Sequence, residues 1–195
     1  MGVEGAGERV VVYSIGHSNH PIARFLGLLQ AQAIEVLVDV RSAPYSRHAP
    51  QFSREALEPA VSAAGMRYLY LGRELGGRPQ GEQYYDGENV VYERVAATDA
   101  FRAGLDRLRR GAARYRVAVM CSEEDPTTCH RYRLIRPELQ KQGVEMRHIR
   151  GDGTVDSDDA LDGGQLSLFG ATEEPAWKSI RLASRRDRRP TSSEP

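Results

Sequence analysis

The chain has 195 residues, enough for one domain with a substantial core plus a tail. Its 27 basic and 27 acidic residues cancel, which excludes a globally basic nucleic-acid binder and leaves no strong single-sign field. Two cysteines are too few for a disulfide framework, no apolar window is long enough for a membrane span, and the N-terminus lacks the charged-then-apolar layout of a signal peptide, so the expected class is a soluble cytoplasmic protein with no membrane partner.

In chain order, "RVVVYSIGHS" (9–18) is a β-branched run that predicts a buried strand. A helix follows, capped by Ser18 or Asn19, with Pro21 in its first turn and Ile22, Phe25, Leu26 and Leu29 on one face. "IEVLVDVRS" (34–42) is a second strand, and 52–65 a helix capped by Ser53, irregular at Pro59 and stopped by Gly65. "MRYLYLG" (66–72) is a third strand, followed by a long Gly-rich loop that suggests a working part. Thr98 caps an amphipathic helix (98–112), 114–124 is a fourth strand, 127–143 a helix bent at Pro137, and 144–149 the last strand. This alternation predicts a single α/β domain over residues 8–150, a mainly parallel sheet flanked by helices.

From Gly151 the composition changes. Residues 151–174 hold seven acidic residues and no basic one, and residues 176–189 hold six basic residues and one acidic one. The expectation is a disordered C-terminal tail over 151–195. Within it, Leu166, Leu168 and Phe169 are large apolar residues with no polar-tail reason to be there.

Ligands of open parallel sheets bind beyond the carboxyl ends of the strands. Here those ends carry His17 and Ser18, then Asp39 and Arg41, then the Gly76-Gly77 turn, then Cys121 and Glu123. "CSEEDPTTCHR" (121–131) is the densest stretch, with Cys129, His130 and Arg131 expected to open a helix whose N-terminus favours an anion. A phosphatase-type cysteine loop is excluded, because Thr127 and Ile135 stand where its arginine belongs. A metal site on Cys121, Cys129, His130 and His17 matches no familiar zinc spacing, so no metal and no cofactor is assigned. His48 and His148 are expected at the surface, and an ion pair between Asp39 and Arg41 is the structural alternative to their chemical role.

"YSIGHSNHP", "VLVDVRSAPYSR", "YLYLGRELGG" and "VMCSEEDPTTCHR", in this order from about Tyr13 to His148, resemble the domain of unknown function 488 family. Some archaeal relatives in that family are regarded as DNA glycosylases for oxidised pyrimidines. Gln165-Leu166-Ser167-Leu168-Phe169 resembles the pentapeptide by which bacterial repair and replication proteins bind the DNA sliding clamp. Together these resemblances imply DNA, single- or double-stranded, and the clamp as partners. They imply a monofunctional glycosylase with Asp39, then Glu123, as its carboxylate, and His17 beside the base or the water. Ser18, Arg41, Ser46, Gly76, Gly77, Tyr85, Cys129, His130 and Arg131 would bind the substrate and its phosphates, and Tyr84 with Tyr85 would stack on an extruded base. Lys141 and Lys178, the only lysines, lie away from the strand ends, which argues against a Schiff-base lyase. Two alternatives stand beside this: a non-enzymatic nucleotide or nucleic-acid binding module, and a cysteine- or metal-dependent enzyme built on Cys121 and Cys129.

Overall fold

A computed structural model of the protein describes residues 9–166. The sheet is built from β1 (Val11–Gly16), β2 (Val36–Asp39), β3 (Arg67–Tyr70), β6 (Val117–Cys121), β7 (Glu145–Ile149) and β8 (Val155–Ser157). Their spatial order is β3-β2-β6-β1-β7-β8, all parallel except the last pair. Alternation along each strand decides the layers. Val12, Val36, Val38, Val117 and Val119 face one side, and Tyr13, Ile15, Leu37, Ala118 and Met120 face the other. Helices α1 (Ile22–Ala31) and α2 (Arg54–Ala63) cover the second side with Phe25, Leu29, Leu57 and Val61. Helices α5 (Asp99–Ala112) and α6 (Arg136–Gln140) cover the first with Phe101, Leu105, Leu108 and Leu139. The α/β class with a mainly parallel sheet between helices is therefore the observed one, and no helix among the described residues is long and apolar enough to cross a membrane.

Local chemistry accounts for most boundaries. The Thr98 hydroxyl accepts the Phe101 amide at 3.2 Å and starts α5, and Gly65 ends the α2 unit at φ +80°. Ser53 stands at the head of α2, but its hydroxyl accepts from the Ser46 amide instead of capping the helix. Pro21 is the residue before α1 and no side chain caps it. The Gly-rich stretch after β3 is more structured than a loop: it holds α3 (Gly72–Leu75), a two-residue hairpin of β4 (Tyr85–Asp86) with β5 (Asn89–Val90), and α4 (Tyr92–Ala96). The apolar residues Leu75, Val90, Tyr92 and Val95 account for this, since they anchor it to the core.

Two expectations change. The segment 127–143 is not one helix: a 3-10 turn (Pro126–Thr128) leads into a π turn over Arg131–Ile135, then α6. Pro137 has no N–H for the Arg133 carbonyl, and the wider turn just before it absorbs the missing bond. The ordered domain also passes residue 150, because β8 pairs with β7 and α7 (Asp158–Leu166) follows. The acidic composition that suggested a tail hides Asp158, which is 5% exposed and accepts from Arg136 Nε at 2.8 Å, His148 Nε2 at 3.1 Å and the Met146 amide at 3.2 Å. Burying a carboxylate is tolerated because it neutralises a buried guanidinium.

Asp158→Ala should therefore lower the unfolding free energy by about 3–5 kcal/mol, since it takes the buried carboxylate from His148, the Met146 amide and Arg136 and leaves Arg136 the partly exposed Asp162. A chain ended at residue 150 should lose at least as much, and urea unfolding midpoints at unchanged slope would measure both; a wild-type midpoint for either would refute the assignment.

Candidate active site

β1 and β6 are neighbours whose connections leave over opposite faces of the sheet, toward α1 and toward α6. Their carboxyl ends are therefore the topological switch point of the sheet, where open α/β sheets form the crevice that binds ligands. The two exits are joined by the His17 amide donating to the Cys121 carbonyl and the Ser18 amide to the Ser122 carbonyl, each at 2.9 Å. A Cβ on Gly16 would lie 1.9 Å from the Glu123 carbonyl oxygen, so only glycine permits this approach. Ser18 is held at φ +46°, a left-handed conformation that a serine seldom adopts and that stores local strain at the crevice.

Strand parity splits the polar residues into two groups. Asp39 points to the α1–α2 side, where it is fully buried. Its carboxylate accepts from Arg41 Nε at 2.9 Å, Arg41 Nη2 at 2.6 Å, the Arg41 amide at 3.1 Å and the Tyr68 hydroxyl at 2.7 Å. The rest of the Arg41 guanidinium donates to the Phe52 carbonyl at 2.8 Å and to His17 Nε2 at 3.2 Å. His17 Nδ1 donates to the Ser18 carbonyl at 2.7 Å, and the ring stacks on Phe52 with centroids 4.3 Å apart. Burial foremost, with Arg41 adding to it, lowers the His17 pKa to about 4. Burial foremost, then Asp39, pushes the Tyr68 hydroxyl above its ordinary range. This half of the site is a saturated buried network in which Asp39 fixes Arg41 and Arg41 fixes His17.

The second group lies on the α6 side. Cys121, Cys129 and His130 are all buried, and their ligand atoms lie within 4.8 Å of one another. His130 Nε2 donates to the Val40 carbonyl at 3.1 Å, and Nδ1 is 3.6 Å from each sulfur. Arg131 is 1% exposed, and donates from Nε to Cys129 Sγ at 3.3 Å, from Nη1 to Ser14 Oγ at 3.1 Å and from Nη2 to the Glu123 carbonyl at 2.6 Å. The Cys121 thiol donates to the Glu123 carboxylate at 2.9 Å. Burial pushes the Cys129 thiol up, but Cys121, His130 and Arg131 outweigh it and hold it well below its usual range. Cys121, hydrogen-bonded to Cys129 and buried, is held well above. Gly77 packs on the imidazole, since a Cβ there would meet His130 Cγ at 2.6 Å.

Behind Arg131 runs a third feature that sequence reasoning missed. The Ser14 hydroxyl bonds His148 Nδ1 at 2.7 Å, His148 Nε2 reaches Asp158, and Asp158 pairs with Arg136. The order of groups is that of a Ser-His-Asp triad, but Ser14 is 0% and His148 1% exposed, so no substrate reaches the hydroxyl. His148 is thus a core residue and not a surface one. One signal was available: Ser14 interrupts an otherwise apolar β-strand run, and a buried hydroxyl needs a partner.

The remaining expected residues are dispersed. Ser46 makes a local turn, its hydroxyl accepting from the Ala49 amide at 3.0 Å. A Cβ on Gly76 would meet the Gly72 carbonyl at 2.3 Å, a packing constraint within the turn after α3. Tyr84 and Tyr85 are half-buried against the core, with the Tyr85 hydroxyl donating to the Pro79 carbonyl at 2.9 Å. Glu123 is exposed at the crevice, and His48 is exposed as expected. Gln165 and Leu166 end α7 in backbone terms, while Leu168, Phe169, Lys178 and the basic run Arg185 to Arg189 lie outside the described residues.

Residues 21–136 match the family described as domain of unknown function DUF488. No curated protein and no solved structure matches the chain.

His17 gives a pH test. The unfolded chain takes up its proton near pH 6.5 and the folded chain only near pH 4. Between these values the unfolded state binds more protons, so stability falls as pH drops from about 6.5 and levels off below about 4. The size is on the order of 3 kcal/mol. Urea unfolding of wild type and His17→Gln across this window should show a shallower slope for the variant; parallel curves would contradict a buried neutral His17.

Proposed function

We propose that this chain, which belongs to the DUF488 family, is a monofunctional DNA base glycosylase that hydrolyses the N-glycosidic bond of an oxidised pyrimidine in the cytoplasm. The observation that carries the reading is the Glu123 carboxylate, exposed at the β1–β6 crevice with its own backbone carbonyl anchored by the buried Arg131. Glycosidic cleavage builds positive charge on the sugar and consumes a water, so its carboxylate has to face both. Asp39 has no exposure, and four donors occupy its oxygens. Glu123 therefore takes the catalytic place, and Asp39 becomes a positioning residue that holds Arg41 and through it His17. Arg41 and Arg131 donate inside the fold, so phosphates would be held by other groups at the crevice rim.

Lys141 is exposed and pairs with Glu138 at 2.6 Å, which supports base release without strand cutting, since no described amine stands at the crevice to form a Schiff base. Recruitment to the sliding clamp through Gln165, Leu166, Leu168 and Phe169 belongs to the same proposal: apolar anchors in a groove with one polar contact are a common way for a short segment to bind.

Full-length protein, Glu123→Gln and Asp39→Asn would be incubated with oligonucleotides carrying oxidised, deaminated and alkylated bases, and freed base read by mass spectrometry. Wild type should release an oxidised pyrimidine, and Glu123→Gln should lose about 10²–10⁴-fold in rate while remaining folded. No release from any oligonucleotide, or full activity in Glu123→Gln, would remove the proposal.

A further inference from the structure

Cys121, Cys129 and His130 form a cluster that the glycosylase reading leaves without a job. Cys121 ends β6, and Cys129 and His130 follow the 3-10 turn, so all three sit on rigid backbone. The two sulfurs are on residues 5% and 2% exposed, too enclosed to attack a macromolecular substrate. A disulfide would require only the two sulfurs. It would not require an imidazole nitrogen aimed at both.

The geometry points to a zinc site. We propose that Cys121 Sγ, Cys129 Sγ and His130 Nδ1 bind one Zn²⁺, with Glu123 beside the fourth position. Zinc–sulfur and zinc–nitrogen bonds of about 2.3 and 2.0 Å at the tetrahedral angle set sulfur and nitrogen ligands about 3.5 Å apart. Nδ1 is 3.6 Å from each of the two sulfurs. The other ring nitrogen donates to the Val40 carbonyl, which fixes the ring and leaves the Nδ1 lone pair facing the sulfurs. Histidine ligands are held in this way by an outer hydrogen bond, and so are thiolates. Arg131 supplies the latter, donating to Cys129 Sγ from Nε at 3.3 Å and from its amide at 3.5 Å.

Charge agrees. Two thiolates balance one Zn²⁺, and the Arg131 cation balances the Glu123 anion, so the filled site is neutral overall. Each sulfur binds the metal as a thiolate, so filling the site releases to solvent the protons that the ligands still carry. Three protein ligands with a fourth place next to an exposed carboxylate is the arrangement of a zinc ion that holds a water, with Glu123 placed to take that water's proton.

The inference stands apart from the glycosylase reading, because metal binding is measured without nucleic acid. The whole chain contains two cysteines, so any sulfur-to-cobalt band reports this site and no substitution is needed. The tag-free full-length protein would be stripped with chelator under reductant, checked for fold by circular dichroism and titrated with Co²⁺. The expected result is one Co²⁺ per chain with a near-ultraviolet sulfur-to-cobalt band and intense tetrahedral visible bands. Added Zn²⁺ should abolish both. A folded chain that shows no sulfur-to-cobalt band, or a Co²⁺ spectrum of octahedral, weakly absorbing form, would overturn the proposal.

Discussion

Much of this structure turns on one buried guanidinium. Arg131 is among the largest fully buried side chains and carries a permanent charge. A charged group so enclosed has to be met by fixed acceptors. It is met by Ser14 on β1, 117 residues away in sequence, by the Glu123 carbonyl after β6, and by the nearby sulfur of Cys129. These contacts draw the exits of β1 and β6 together and hold the segment 129–131 against the sheet. The crevice geometry follows from satisfying that charge.

The Asp39–Arg41 pair does the equivalent work on the opposite face. Because residues 39 and 121 differ in strand parity relative to the sheet, the carboxylate network and the thiol–imidazole cluster never mix, although both arise at carboxyl ends of neighbouring strands. The two groups touch through backbone atoms, where His17 and Ser18 bond the 121–122 carbonyls and where His130 donates to the Val40 carbonyl between Asp39 and Arg41. A site of this design has buried walls and one exposed polar edge, to which Glu123 belongs.

The fold class was legible because β-branched runs such as 10–12 and 36–40 alternate with helices whose caps, Thr98 and Gly65, are written in single residues. The location of polar chemistry at strand ends was legible for the same reason. What sequence spacing did not reveal was contact across the sheet. Nothing near Ser14 or His148 announces Asp158, since the partner is supplied by the helix that follows a return strand hidden in an acidic stretch. Likewise Cys121, Cys129 and His130 match no familiar metal spacing, because a sheet edge and a 3-10 turn, not a short loop, bring them together. Asp39 and Arg41 were legible as a pair, but only burial tells a structural carboxylate from a reactive one.

The π turn over Arg131–Ile135 carries a constraint of a different kind. Its defining bond runs from the Arg136 amide to the Arg131 carbonyl, five residues back. In a regular α-helix residues five apart point in clearly different directions, whereas one π turn brings them close to the same face. Arg131 and Arg136 thereby approach the Ser14–His148–Asp158 chain from its two ends. A single-residue deletion between them, with a return to ordinary winding, would leave the two arginines four residues apart and still on one face. The interior therefore fixes the combination of length and winding, five residues with a π turn or four with an α turn, and homologues are expected to carry one of these two solutions.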